Sequence, residues 1–470
     1  MRMRYILFVG LLLWSTITFA QSDSLLVTYE SFIQQVYTTH PIALQIQLKR
    51  QEAATYLQKA KGGFDPKLGS KWDFKQFDEK NYFNILNAHL KVPIWAGIEA
   101  EGGYNYTTGY YLNPENKLPS NGQAYLGIKV PLLKGLWTNE RQLAVQQAKV
   151  NINANEAMIL SQLNDLLYEA GKTYWNWSKV YNTQQVVQAS LENAQQQFEA
   201  TKASYIQGDL PAIDTLKAFI RIQDRELLLT NAILEVENAA RQVSMYLWTA
   251  EQTPLSLPAG AFPVLLQEQV SQPLDAEVLT NSLQQLDAHP AIQWYDYKLT
   301  NLDLERKMRV NQLLPKLDVK YNFLSTDHVD FFGVGAAAPI EQYKLGVKFS
   351  MPIFLRKERA KLRLVKLKQQ AVAFKLSDKQ RSLKIKIENY FNQVQSFAQQ
   401  TVGLEQMITN YETLLEAERI KLTMGESSVF MVNTRENQLL NARLKLIKQQ
   451  IEYLKARTAF FWSVAGLTPN

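Results

Sequence analysis

The sequence contains no cysteine and, beyond its first twenty residues, no long apolar run. Without cysteine the chain has no disulfide framework, no thiolate metal site and no N-terminal cysteine to carry a lipid. A membrane-spanning helix needs about 18 to 20 consecutive apolar residues, and no later segment reaches that length. Any contact with a membrane core must therefore be made by β-strands in a closed barrel, which satisfies its own backbone hydrogen bonds.

Patterns for catalysis and metal binding are missing as well. The chain has four histidines, and His89 and His328 have no partner at ligand spacing. No His-Glu-x-x-His, Gly-x-Ser-x-Gly or glycine-rich phosphate loop occurs, and the acidic residues are scattered. We expect no enzyme, no catalytic residue, no metal site and no cofactor.

The first twenty residues have the layout of a secretory signal. Arg2 and Arg4 precede an apolar run from Tyr5 to Trp14, and Ala20 precedes Gln21. We predict a signal peptide at 1–20 and a mature chain that starts at Gln21. The formal charge of +7 includes both signal arginines, and the remaining excess is too small over this length to indicate a nucleic-acid partner.

Two segments of the chain repeat one pattern at a constant offset of 249 residues. His40-Pro41 returns as His289-Pro290, Pro66-Lys67-Leu68 as Pro315-Lys316-Leu317, and Trp72 with Phe74 as Tyr321 with Phe323. A repeat of this kind indicates one body built twice. We predict repeat 1 at 21–256, a linker at 257–288 and repeat 2 at 289–470.

Residues near 66–134 and 315–350 alternate with a period of two, as strands do when one face meets lipid and the other meets water. A soluble sheet with one buried face would give the same alternation. Repeat 1 is longer here, and residues 81–110 look like an additional hairpin that either joins the barrel or folds outside it. The face predicted to be wet carries Lys67, Lys71, Lys75, Lys316, Lys320, Lys344 and Lys348.

Prolines mark the changes between helix and strand, because proline cannot continue either hydrogen-bond pattern. These junctions are Pro66, Pro131, Pro315 and Pro352. From about 137 to 207 there is no proline and one interior glycine, which predicts a helix on the order of 105 Å long. We predict a second long helix at about 355–423, and return helices at about 211–248 and 429–464. Apolar residues in the long helices recur at heptad spacing, so these helices need partner helices.

Long paired helices, proline-bounded strands and a signal peptide together resemble the TolC family of outer-membrane efflux proteins. The family's turn, roughly Gly-x-x-x-x-x-Asp, fits Gly208 to Asp214. In the second copy Gly425 matches, while Met431 occupies the aspartate position and Thr434 the position of a frequent further aspartate.

The resemblance implies a mostly α fold with a membrane β-barrel portion. Each protomer would be a duplicated helix-strand-strand-helix unit, and three would build a barrel in the outer membrane and a long α-helical barrel across the periplasm of a Gram-negative bacterium. One chain supplies four to six strands, fewer than the roughly eight of the smallest membrane barrels, so closure needs several copies. The implied partners are the other subunits, outer-membrane lipid, a periplasmic adaptor (membrane fusion) protein and an inner-membrane transporter.

The turns at Gly208 and Gly425 are the candidate adaptor-docking residues, although a helix cap explains each glycine alone. Candidate gate residues near these turns are Asp214, Asp209, Glu426, Phe430 and Met431. Helix-dipole stabilisation explains the two aspartates about as well, and packing against a neighbouring helix would explain Phe430 and Met431. The His-Pro pairs are interpreted as helix starts.

We predict the outer-membrane exit duct of a tripartite efflux pump or type I secretion system, a passive channel opened by its adaptor and pump. A periplasmic coiled-coil adaptor is the main alternative, and an outer-membrane enzyme with a helical extension is another. The sequence leaves open whether the cargo is a drug, a metal ion or a protein.

Overall fold

The structure is a computed structural model and describes residues 26–258, 260–266, 271–325 and 342–467. The predicted signal peptide and His328 lie outside the described residues. The helices are α1 (Tyr29–Thr39), α2 (Pro41–Lys61), α3 (Glu140–Gln207), α4 (Ala212–Ser244), α5 (Ala276–Gln284), α6 (Pro290–Asn311), α7 (Arg356–Thr423) and α8 (Val429–Ser463). The strands are β1 (Leu26–Val27), β2 (Lys67–Phe77), β3 (Lys80–Pro93), β4 (Glu99–Thr108), β5 (Gln123–Pro131), β6 (Phe262–Pro263), β7 (Lys316–Ser325) and β8 (Tyr343–Ser350).

Six strands form one antiparallel sheet in the order β2-β3-β4-β5-β7-β8. The additional hairpin of repeat 1, now β3 and β4, therefore lies inside the sheet between β2 and β5. The strands are 8 to 14 residues long. For comparison, a strand that spans a bilayer has roughly 9 to 11 residues. Strands β2 and β8 are the two edges, and each has one neighbouring strand among the described residues.

Two helices of 68 residues each, α3 and α7, run away from this sheet. Helix α3 begins at Glu140, three residues after the predicted start, because Asn139 is extended and closes a capping box with Gln142. Its heptad positions are buried, among them Leu167 and Tyr174, which are fully enclosed. Among the described residues, no helix is both long and apolar enough to cross a membrane.

Both His-Pro pairs start helices. The Nδ1 atom of His40 accepts a hydrogen bond from the backbone N–H of Ile42 at 3.2 Å, and His289 accepts one from Ala291 at 3.1 Å. Proline follows at the first helical position, which it tolerates best because the N–H that it lacks would be unpaired there. The histidine ring thus takes the place of an N-cap side chain in both copies.

The largest apolar core lies halfway along α3, where α1, α4, α8 and the short parallel strands β1 and β6 meet. Trp177, Tyr174 and Phe32 are almost completely buried there. The Tyr174 hydroxyl donates to the Val27 carbonyl at 2.8 Å, and the Trp175 indole donates to the Thr458 hydroxyl at 3.0 Å. These bonds join the N-terminal segment and α8 to the same level of α3.

Candidate functional site

The sheet has one polar face and one apolar face. Residues directly opposite each other in neighbouring strands point to the same side, and one such row is Lys67, Lys91, Glu101, Gly127, Asn322 and Lys344. Apart from Lys80 at a hairpin end, the opposite face carries no charged residue in the described strands. Its apolar side chains are exposed, for example Leu68 at 83% and Phe349 at 65%. This is the division that a membrane barrel shows between lipid and lumen.

Each acidic side chain on the polar face of the described strands has a basic neighbour. Glu101 lies 2.7 Å from Lys320, and Glu99 lies 2.9 Å from Arg141 at the start of α3. Asp73 and Asp318 have lysine neighbours at 2.6 and 3.4 Å. The negative charges of this face are therefore neutralised locally.

Gly103 makes room for part of this network. The aromatic ring of Tyr125 crosses above it, and a Cβ atom at residue 103 would collide with the Tyr125 hydroxyl. That hydroxyl donates to Glu101 at 3.0 Å. Glycine is thus needed at residue 103 because the Tyr125 ring approaches its backbone closely. The backbone itself has the ordinary extended conformation of a strand.

All seven predicted lysines lie on the polar face, and the sheet register adds Lys91 and Lys129. Lys67, Lys344 and Lys348 have no carboxylate partner among the described residues, and Lys75 lies over the Tyr82 ring at 4.7 Å. The polar face therefore has an excess of positive charge.

At the far end of the long helices, the turns after α3 and α7 have the same geometry. Gly208 has φ +85° and Gly425 has φ +76°, a left-handed conformation that glycine adopts at least cost. The N–H of Gly208 donates to Tyr205 and that of Asp209 to Ser204, both at 3.0 Å, and the same pair of bonds recurs after Lys421. These are Schellman caps. No atom lies within 4 Å of a Cβ built at either glycine, so backbone angle alone selects glycine here.

The candidate gate residues lie around these two turns. Asp214 is in the first turn of α4 and pairs with Lys217 of the same helix at 2.9 Å, while Asp209 and Glu426 are exposed. Phe430 is 63% exposed, and Met431 is partly buried next to it in the first turn of α8. The Thr434 hydroxyl donates to the Phe430 carbonyl at 2.9 Å.

A polar cluster with a buried centre joins the two long helices, α3 and α7, to the two return helices, α4 and α8, a few turns from these tips. We call it the tip cluster, and it comprises Gln197 (α3), Arg221 (α4), Arg419 (α7), and Asn433 and Glu436 (α8). Glu436 accepts from Arg419 at 2.9 Å and also contacts Arg221 and Gln197. Arg221 donates to Gln197 at 2.6 Å and to the side-chain oxygen of Asn433.

The centre of the tip cluster is shielded from water, while Arg419 at its edge is 45% exposed. The side chains of Arg221 and Glu436 are 11% and 8% exposed. Burial, together with the like charges of Arg225 and Arg419, lowers the pKa of Arg221 to about 10. Its guanidinium is therefore still charged at neutral pH.

The sequence reasoning missed the tip cluster. A signal was present, because Glu436 lies at a seam position of α8 between the buried Val432 and Leu439, where an apolar residue is expected. A carboxylate in such a position requires a buried cationic partner. Nothing in the local pattern of α4 marks Arg221 as that partner.

No family model matches the sequence, and no curated protein matches it. Solved structures do match. The CmeC outer membrane channel of Campylobacter jejuni superimposes with a TM-score of 0.63 at 13% identity, over 93% of this chain and 85% of that chain. The open-state MtrE outer membrane channel of Neisseria gonorrhoeae gives 0.66 at 14% identity over 93% and 89%. CusC, described for its transmembrane channel formation, gives 0.66 at 15% identity over 93% and 91%.

At sequence identities of 13 to 15%, the structural similarity establishes a shared fold. It confirms the predicted fold class, in which long helices and a β-sheet portion make up one duplicated protomer. The chain therefore has the fold of the TolC-like outer-membrane channels, as its resemblance to that family predicted.

Proposed function

We propose that three copies of this chain form the outer-membrane exit duct of a tripartite efflux or secretion system in a Gram-negative bacterium. The observation that carries the proposal is the sheet. It has an exposed face with no charged residue except Lys80 at a hairpin end, a charged opposite face and two open edges. An open edge in a bilayer leaves backbone groups without hydrogen bonds. Pairing β8 of one copy with β2 of the next removes both edges.

Three copies would supply 18 strands, since one sheet has six. Barrels of 16 to 18 strands enclose an aqueous channel. The additional hairpin thus belongs to the wall of the proposed barrel and widens it relative to a barrel with four strands per subunit. The long helices would continue the wall into the periplasm for on the order of 100 Å.

The duct is passive in this proposal. It has no catalytic residue and no cofactor, and directional transport comes from an inner-membrane transporter to which a periplasmic adaptor connects it. The adaptor binds the turns at Gly208 and Gly425. Its binding energy shifts the helical tips from a closed to an open state, against the contacts of the tip cluster.

Planar-bilayer recordings of the purified protein test the duct. We expect discrete channels from a heat-modifiable trimer in the outer-membrane fraction. The alternative of a periplasmic adaptor predicts a water-soluble protein without channel activity, and that result would reject the duct. Co-purification with the native adaptor would test the partner.

The gate has its own test. Asp214→Lys replaces a carboxylate in the first turn of α4 and removes its pair with Lys217. We expect the resting ion conductance to change, because like charges then meet at the tips. Glu235→Lys makes the same charge change at an exposed position farther along α4 and should leave conductance unaltered. Unchanged conductance in the Asp214 variant would remove this residue from the gate.

A further inference from the structure

The membrane-proximal part of α7 carries an unusual concentration of positive charge. Between 356 and 386 there are twelve lysines and arginines and two acidic residues, Glu358 and Asp378, for a net charge of +10. None of the twelve pairs with a carboxylate of the described residues. The corresponding stretch of α3, residues 140–170, has two basic and four acidic residues. The excess therefore belongs to the second copy alone.

These charges lie on two edges of α7. At about 100° per residue, one edge is a lysine stripe made of Lys357, Lys361, Lys368, Lys375, Lys379 and Lys386. The other edge is an arginine-rich stripe made of Arg356, Arg359, Arg363, Lys366, Arg381 and Lys384. Each edge thus has six positive charges.

The two flanks between these stripes are mainly apolar, and each carries one acidic residue, Glu358 on one flank and Asp378 on the other. Val365, Val372 and Leu383 are buried against the rest of the chain. On the opposite flank Leu367 and Phe374 are 53% and 76% exposed, about 180 to 200° around the helix from Val365. In a ring of subunits this exposed apolar flank faces the neighbouring copy. The stripes then face the inside and the outside of the tube.

It follows that the lumen is positively charged whichever way α7 is turned. Neighbouring members of the lysine stripe are four or seven residues apart, or about 6 to 10 Å along the axis. This spacing is close to the Debye length of about 8 Å at physiological ionic strength. Their fields therefore overlap into one continuous positive strip over about 45 Å.

Acidic residues of the neighbouring helices do not cancel this charge. In α6, which packs against α7, Asp303 pairs with Arg306 at 2.7 Å and Glu305 pairs with Arg309 at 2.8 Å. Asp296 is the one acidic residue of α6 without a basic partner among the described residues. The polar face of the sheet, where α7 begins, adds further lysines without carboxylate partners. The positive strip thus continues from the helical tube into the sheet.

We infer that the duct selects by charge and prefers anionic cargo to cationic cargo. The inference rests on the proposed exit duct. Rings of positive side chains select anions because their charge stabilises an anion that has lost part of its hydration. With three copies, each positive residue that faces the lumen forms a ring of three charges around the tube. The preference should weaken at high salt, because screening shortens the reach of each charge.

The reversal potential of single channels in a potassium chloride gradient tests the inference. We expect the unmodified channel to reverse near the chloride potential, with a smaller displacement at molar salt. A channel that reverses near the potassium potential would overturn the inference and leave the duct intact. A preparation without channels would overturn both.

Two matched variants locate the responsible stripe. One carries Lys361→Gln, Lys368→Gln and Lys375→Gln, and the other carries Arg359→Gln, Arg363→Gln and Lys366→Gln. Each removes three charges per chain at exposed or partly exposed positions, and glutamine preserves helix propensity. We expect one variant to shift the reversal potential towards potassium and the other to leave it unchanged. Equal shifts in both, or no shift in either, would overturn the inference.

Discussion

At the scale of single residues, the repeated His-Pro pairs use a titratable side chain as a helix cap. The Nδ1 atom of His289 accepts a hydrogen bond only while it is unprotonated. Burial and the nearby Lys379 lower the pKa of His289 to about 4, and burial lowers the pKa of His40 as well. The sequence predicted helix starts at these positions. The histidine acceptor itself depends on a ring orientation that a sequence pattern does not specify.

His289→Asn should reduce the acid sensitivity of the fold. A histidine whose pKa is lower in the folded than in the unfolded state stabilises the fold above about pH 6.5, and this contribution is lost as pH falls towards 4. It amounts to at most about 3 kcal/mol. Asparagine keeps the cap acceptor but does not titrate. Denaturant unfolding followed by circular dichroism should show a shallower pH dependence between 6.5 and 4 for the variant, and His40→Asn is the parallel variant in repeat 1. Identical pH dependence in wild type and variant would contradict this account.

At the scale of secondary-structure elements, the long helices were more predictable than their contacts. Heptad positions such as Leu167 and Val394 are buried, because periodicity alone determines which face of a helix is apolar. The start of α3 moved to Glu140 because a capping box at Asn139 outweighed the helix propensity of the preceding residues. The tip cluster depends on the relative alignment of four helices, and one sequence does not contain that information.

Glu436→Gln should loosen the helical tips. It leaves the buried guanidinium of Arg221 without its carboxylate, and breaking a buried ion pair costs about 3 to 5 kcal/mol. We expect amide hydrogen exchange around the cluster to accelerate by about two orders of magnitude or more. Glu412→Gln is the control, because its pair with Arg443 also joins α7 to α8 but is 44% and 47% exposed, and such pairs contribute about 1 kcal/mol or less. Equal effects of both variants would show that burial does not decide the strength of the cluster.

Replacing glycine by alanine should have opposite effects on stability at the tip turn after α3 and in the interior of α7. Gly208→Ala forces a side chain into a left-handed conformation and should destabilise the end of α3 by about 1 to 2 kcal/mol. Gly403→Ala, inside α7 with ordinary helical angles and open space around it, should stabilise its helix by about 0.5 to 1 kcal/mol. Hydrogen exchange at the C-terminal turn of α3 and at the middle of α7 measures both changes. If Gly403→Ala destabilised α7, the open space around Gly403 would be contradicted.

At the scale of the whole molecule, the single chain leaves uncovered the surfaces that the proposed trimer would cover. The sheet has two open edges, its apolar face is exposed, and α7 presents an apolar flank to solvent. The sequence predicted several copies from the strand number. It left open whether the additional hairpin joins the barrel, because alternation shows that a segment is a strand but does not identify its neighbours. Pairing of β3 with β2 and of β4 with β5 places the hairpin inside the sheet, and hence in the wall of the barrel that we propose.

Phe374→Glu should prevent assembly of the proposed trimer. Phe374 is 76% exposed in the single chain and lies on the flank of α7 that would face the neighbouring copy. Burying an unpaired carboxylate in that contact costs several kcal/mol, and three-fold symmetry repeats the cost in every interface. Light scattering or native mass spectrometry in detergent should therefore detect monomers.

The control is Ser377→Glu. It introduces the same charge three residues later, about 60° around the helix on the arginine-rich stripe, and should leave the trimer intact. If the Phe374 variant stayed trimeric, this flank of α7 would not be the subunit contact, and the stripes on either side of it would lose their assignment to the inside and outside of the tube.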